Sequence, residues 1–403
     1  MSGDLDSLDL IGGKRLSIVT TADGLTAEPQ VRDSDGSWRR ARPGDGVAEA
    51  LLALLVAAPG VSEIGSFTVH SWSARVAAGE RAITVDQTNE SVIVGDAAVV
   101  KWAAHLLAGP HPAPRRIELL RANGFRHMPC PWGLVTWRSE DGAQTLVAGV
   151  DEYLPGAVDG WTWAVDLIAA AAAAPGAPAD ELMAAAADVG AVIAELHAAL
   201  ASTATIASPA DAQRWRAAAV ATLDEARAQA DPALRDLLDS RAINEILADL
   251  GAMAGTAVIE GHGDLHVGQV LRHPGGYAVI DFDGNPVLPP AERVLPIPAV
   301  LDVAGLAQSL THAAIVARRH HRVDEQALAR VERLARDRFT RSYATHLAAL
   351  GHGELYDPAC LRAFRLQQVL REVVYAARHL PRWMYVPETA LPMLLDEGIA
   401  GGP

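Results

Sequence analysis

The sequence predicts an α+β fold: a strand-rich front, a short Pro-Gly joint and a larger helical rear. Three observations carry this. Short β-like runs recur up to about residue 155. Past "LPGAVDG" (154–160) the apolar spacing changes to the helical period. One polar, glycine-marked loop bounded by strands interrupts the rear at 259–285. The chain has 403 residues, half of them apolar, which is ample for more than one core.

Taken in order, residues 1–80 alternate strands ("RLSIVTTA", "GSFTVHSW") with one helical run, "GVAEALLALLVAA", as a small α+β unit. Residues 81–155 carry the strands "RAITVDQ", "ESVIVGDAAVVKWA", "WGLVTWRS" and "QTLVAGVDEY". A helix, "PAPRRIELLRANG", interrupts them, with Pro at its start and Gly at its end. Residues 156–403 are mainly helical, as in "DELMAAAADVGAVIAELHAAL" and "CLRAFRLQQVLREVVYAARHL".

The net charge of -15 argues against a protein that tracks phosphate backbones or an anionic membrane surface. The two cysteines, Cys130 and Cys360, offer neither a disulfide framework nor CxxC metal spacing. With no basic, apolar leader and no unbroken apolar span, the expectation is a cytoplasmic protein without membrane or nucleic-acid partners.

The loop "IEGHGDLHVGQVLRHPGGYAVIDFDGN" (259–285) concentrates acids, histidines and an amide. Structural hydrogen bonding is one reading of it. A metal pair of His262 and His266 is another, weakened because Gly261, Gly263 and Gly268 oppose the helix it needs. Phosphoryl transfer fits best. Asp264 and Gln269 have the five-residue separation of a kinase base and its metal-ligand amide. Asp281 follows at the end of the strand "YAVI" as a second ligand for magnesium, which needs few protein oxygens beside triphosphate.

The runs "HGDLHVGQVLR", "YAVIDFDGNP" and "LDVAGLAQS", with "DEYLPGAVDGW" and "REVVYAARHLPRWMYVP", resemble the bacterial aminoglycoside-phosphotransferase-like sugar kinases. Among these are the maltokinases and their relatives that phosphorylate glucosamine. The resemblance covers nearly the whole chain. It implies a bilobal protein-kinase-like fold, with an N-terminal cap subdomain (1–80), a β-rich nucleotide lobe (81–155) and a helical catalytic and sugar-binding lobe (156–403). ATP and Mg2+ are the implied cofactors.

On this reading Asp264 is the catalytic base and Gln269 and Asp281 hold the metal. Lys101, in "AAVVKWAA", supplies the cation over the phosphates, and Glu118 on the following helix is the carboxylate available to hold it. "DQTNES" stands where kinases carry a glycine-rich loop, offering Thr88, Asn89 and Ser91 to phosphate oxygens. Backbone groups of Glu152 and Tyr153 would meet the adenine edge. Register with the maltokinase pattern implies Asp302, Gln308, Glu372, Tyr375, Arg378 and Trp383 around the sugar, with His262 and Asp283 beside them. Asp283 would serve the second metal or the substrate. Gln308 stands where maltokinases carry arginine, and Asn285 where they tend to carry an acid; a neutral amide among acids tolerates an ammonium that arginine repels. The implied activity is a monomeric, ATP-dependent kinase converting D-glucosamine to glucosamine 6-phosphate. The alternatives are a maltokinase, an aminoglycoside phosphotransferase and a catalytically silent nucleotide-binding module.

Overall fold

The computed structural model describes residues 4–22, 24–83, 90–107, 109–174 and 176–397. The chain divides into two compact units, one from 1–121, 128–157 and 281–294, the other from 122–127, 158–280 and 295–403.

The first unit opens with an antiparallel sheet of β1 (Asp4–Leu10), β2 (Lys14–Thr21), β3 (Gly24–Arg32) and β4 (Trp38–Arg40), followed by α1 (Val47–Ala57). A second sheet takes β5 (Gly60–Ile64), β6 (Phe67–Ser71), β7 (Glu80–Ala82), β8 (Glu90–Val94), β9 (Ala98–Trp102), β10 (Pro131–Arg138) and β11 (Gln144–Glu152). Its order is β5-β6-β10-β11-β9-β8-β7, antiparallel throughout. Alternation along these strands separates two chemistries. Val92, Val94, Val100, Ala148 and Val150 join Leu8, Leu16, Ile18, Leu51 and Leu55 in one core. Residues of opposite parity, Ser91 and Lys101 among them, pair across β8 and β9 on the other face. α2 (Ala113–Ala122) lies between β9 and β10, and α8 (Pro290–Arg293) belongs to this unit's last segment.

The second unit is helical. Its long elements are α3 (Gly160–Ala173), α4 (Ala177–Leu200), α5 (Pro209–Gln229), α9 (Ala299–His320), α10 (Glu325–Ala349), α11 (Leu361–His379) and α12 (Tyr385–Asp396). Shorter α6 (Pro232–Leu238) and α7 (Arg241–Ala248) sit between α5 and the loop. Two small ribbons complete it: β12 (Thr205–Ile206) with β13 (Ala257–Val258), and β14 (Val270–His273) with β15 (Gly276–Val279). Two segments, Ala177–Thr203 and α9, are long and apolar enough to cross a membrane by composition. In the fold, 89% of the α9 window is buried, because α9 is the central helix of this unit's core.

Candidate active site

In the first unit, β9 presents Lys101 beside Asp151 of β11, with Nζ 3.7 Å from the carboxylate. Burial pushes the ammonium down, but Asp151, Asp281 and Asp283 together outweigh it and its pKa rises. Glu118 is not the partner. α2 turns it to solvent, about 200° from the buried Arg116 at 100° per residue. Arg116 is instead α2's contribution: it is 2% exposed and donates to the carbonyls of Phe282 (3.1 Å) and Arg293 (2.9 Å), holding the Asp281–Asp283 turn. Within that turn Asp281 is the one non-glycine at positive φ (66°) among the described residues, a conformation aspartate tolerates better than most side chains. Asp283 is pushed up to about 7, by burial first and then by Asp281, against the pull of Lys101.

Ser91 faces the same side as Lys101, and its buried hydroxyl has no hydrogen-bond partner among the described residues. Thr88 and Asn89 lie outside the described residues. At the segment after β11, the amide of Glu152 donates to the Cys130 carbonyl (2.8 Å) and that of Tyr153 to the Ala97 carbonyl (2.9 Å). Neither N–H is therefore available to an adenine edge, which corrects that part of the expectation. Their side chains are engaged too, Glu152 with Arg75 and the Tyr153 ring under Arg81.

In the second unit, α9 is the platform for the loop after β13. Asp302 takes the amides of His262 (2.7 Å) and Gly263 (2.8 Å) on its two oxygens. Ser309 Oγ takes the amide of Val267 (2.8 Å). Between them Gly305 allows close approach, since a Cβ there would stand 2.3 Å from the Leu265 carbonyl oxygen. Positions 302, 305 and 309 share a helix face, which explains the spacing inside "LDVAGLAQS". Beneath Asp302, His197 Nε2 lies at 3.2 Å and the His197 Nδ1 accepts from the Tyr343 hydroxyl at 2.7 Å. Burial pushes Asp302 up, but His197 and the loop amide outweigh it and its pKa falls. His262 donates through Nε2 to the Ile280 carbonyl (3.0 Å), and Ile280 donates its amide to Gln269 O (2.9 Å). Asp302 and His262 are thus fully buried supports of the loop. This corrects their placement around the sugar.

The loop leaves Asp264 half-buried, with Oδ1 held by Arg371 Nη2 of α11 at 3.1 Å. Next to Arg371, Glu372 accepts from Trp383 Nε1 (3.0 Å). Burial pushes the Glu372 carboxyl up, the Trp383 hydrogen bond and Arg371 pull it down, and Asp264 pushes it further up. Trp383 meets Trp161 edge-on (6.2 Å), and Trp161 stacks on His266 (5.9 Å). Asp264, Glu372 and Trp383 are therefore gathered in the second unit, and Arg371, Trp161 and His266 join them unforeseen. Trp161 follows the helix cap Asp159 in "VDGW", and only the fold brings it to the loop.

Three other expected sugar ligands sit elsewhere. Gln308 is fully buried and accepts from Arg365 Nε (3.1 Å) in a network with Glu397 and Arg336. The specificity argument built on it fails, because no sugar reaches a side chain without exposed surface. Tyr375 is half exposed and packs on His379, and Arg378 pairs with Glu225 of α5. Three-residue steps turn 60° short of a full turn, so this series winds from Glu372 out to the surface.

No three His, Cys, Asp or Glu side chains converge on one point among the described residues, so no all-protein metal cage is built. Magnesium does not need one. In the first unit Asp151 lies 3.7 Å from the Lys101 ammonium, and Asp281 and Asp283 add to the negative field on it, oxygen donors of the kind a hard divalent ion takes.

A family model described as the phosphotransferase enzyme family matches residues 81–292, and the chain belongs to that family, with the kinase-like α+β fold the motifs implied. The sequence is similar to a glucosamine kinase of Mycolicibacterium smegmatis, 60% identical over 397 residues, covering 98% of this chain and 99% of the relative. It is also similar to a glucosamine kinase of Streptacidiphilus jiangxiensis, 45% identical over 399 residues, covering 97% and 90%. A solved glucosamine kinase in complex with glucosamine, ADP and inorganic phosphate superposes with a TM-score of 0.85 at 41% identity, covering 98% of this chain and 94% of that one.

Proposed function

We propose that this chain is an ATP-dependent glucosamine kinase that transfers the γ-phosphoryl group to the sugar's 6-hydroxyl. The carrying observation is that Arg371 on Asp264 and Trp383 on the neighbouring Glu372 gather two carboxylates and an indole in the second unit. Two carboxylates there can divide the work on an aminated sugar. Asp264 orients the hydroxyl and takes its proton as the new O–P bond forms and the bond to the ADP oxygen breaks. Glu372 attracts the ammonium, and the indole of Trp383 packs against the ring. A neutral disaccharide can only hydrogen-bond to the second carboxylate, whereas an ammonium also pairs with its charge. That, with the similarity to glucosamine kinases over the whole chain, favours glucosamine over maltose.

The nucleotide falls to the first unit. Lys101 neutralises phosphate oxygens and the Ser91 hydroxyl donates to them, with residues 81–155 as the nucleotide lobe. Gln269, Asp281 and Asp283 would hold magnesium, which spreads the charge of the transferring phosphoryl group. Catalysis on this reading is positioning and charge neutralisation. ATP consumption measured with glucosamine, glucose, maltose and an aminoglycoside tests the substrate, with mass analysis of the product. Turnover confined to glucosamine, yielding a 6-phosphate, is expected. Rapid turnover of maltose with none of glucosamine overturns the reading.

A further inference from the structure

We infer that Arg371 is the positioning residue of the base, a role that rests on Asp264 serving as the proton acceptor. Asp264 makes two hydrogen bonds among the described residues. Its backbone N–H reaches His262 Nδ1 at 3.4 Å, and its Oδ1 receives Arg371 Nη2 at 3.1 Å. Its Oδ2 has no protein partner among the described residues, so the carboxylate is held by one oxygen and offers the other. Arg371 is itself aimed: Nη1 donates to Gln368 Oε1 at 3.0 Å, one turn back along α11. The Gln368 amide lies against α9, where a Cβ on Gly305 would come within 2.9 Å of its Nε2.

A chain of contacts therefore runs from Gly305 through Gln368 and Arg371 to Asp264. It fixes the carboxylate's torsion, the loosest degree of freedom of an aspartate. A planar fork suits this better than an ammonium, because it reaches Gln368 and Asp264 with two N–H groups in one plane. The same guanidinium keeps two roles apart. It lies between the two acids electrostatically, pulling the Glu372 carboxyl down where Asp264 pushes it up, so one acid can serve the hydroxyl and the other the ammonium. The arrangement follows the general logic of a base oriented by a third group, supplied here from a helix about a hundred residues downstream.

The test is Arg371→Ala with chemical rescue. Its kcat is expected to fall about a hundredfold while the KM for ATP stays within about twofold. Added guanidinium should restore much of the lost rate, and ammonium at the same concentration should not. Arg371→Lys should behave like the unrescued alanine variant. Gln368→Ala, which keeps the charge and frees only the far half of the fork, should lower kcat about threefold to tenfold with an unchanged melting temperature. Wild-type kcat in folded Arg371→Ala or Gln368→Ala overturns the inference. So does a loss in folded Arg371→Ala that guanidinium leaves untouched. Failure of the substrate reading shows separately, as wild-type protein that does not phosphorylate glucosamine; base positioning can then be read with whichever acceptor turns over.

Discussion

Asp264 and Glu372 lie within electrostatic reach of one another, yet their surroundings differ. Asp264 has one oxygen held by Arg371 and the other without a protein partner among the described residues. Asp264→Asn should keep ATP and glucosamine binding by calorimetry while kcat falls on the order of 10^3-fold. Glu372 is a part-buried carboxyl with a raised pKa, whose largest cause is its desolvation. An acid whose pKa is raised loses its charge at a higher pH than an ordinary glutamate. Glucosamine kcat/KM should therefore decline on the acid side earlier than a free carboxylate would dictate, with kcat/KM for glucose lacking that limb. Glu372→Gln should abolish the limb and raise the KM for glucosamine about tenfold.

At the scale of elements, α9 decides whether the loop is in place. It contributes a charge at Asp302, a gap at Gly305 and a hydroxyl at Ser309, all on the face under residues 262–267. His197 on α4 and Tyr343 on α10 hold that charge from below, so three helices support one turn of chain. His197→Ala leaves the buried Asp302 without its ring partner and should cost about 3 kcal/mol in chemical denaturation, with kcat falling as the loop loosens. The pKa of Asp302 is lowered in the fold, so its contribution is present above the unfolded carboxylate value and is lost as pH falls through the folded one. Acid unfolding of Asp302→Asn should accordingly be less steep below about pH 4 than that of the wild type.

For the whole molecule, neither unit is a continuous stretch of chain. The first unit borrows 281–294 from the far side of the helical segment, and the crossing falls between Ile280 and Asp281. Ile280 is tied to Gln269 and His262, while the turn after Asp281 is tied to Arg116 of α2. Ile280 therefore closes one segment of the second unit and Asp281 opens the last segment of the first. ATP with magnesium should raise the melting temperature, whereas ATP with excess EDTA should not, since binding to the native state stabilises by mass action. Asp281→Asn should erase the difference between the two conditions. A shift equal with and without metal would remove Asp281 from the metal role.

Much of this was legible in the residues themselves. Alternation placed Val100 and Lys101 on opposite faces of a strand, and the five-residue step from Asp264 to Gln269 announced the chemistry, because both are local geometry written by neighbouring side chains. Motif register also picked out Glu372 and Trp383, which the fold brings into one hydrogen bond. What spacing could not supply was burial. Asp302, Gln308 and His262 carry the polar side chains expected of a sugar site and are enclosed in the core, while Glu118 is turned away from Lys101 by the phase of its helix. Which residue supports the loop and which one meets the ligand depends on contacts between segments a hundred or more residues apart, such as Arg371 on Asp264 and Trp161 on Trp383. Polarity is a property of the side chain alone; exposure and partnership are properties of the packed whole, and only the tertiary structure decides them.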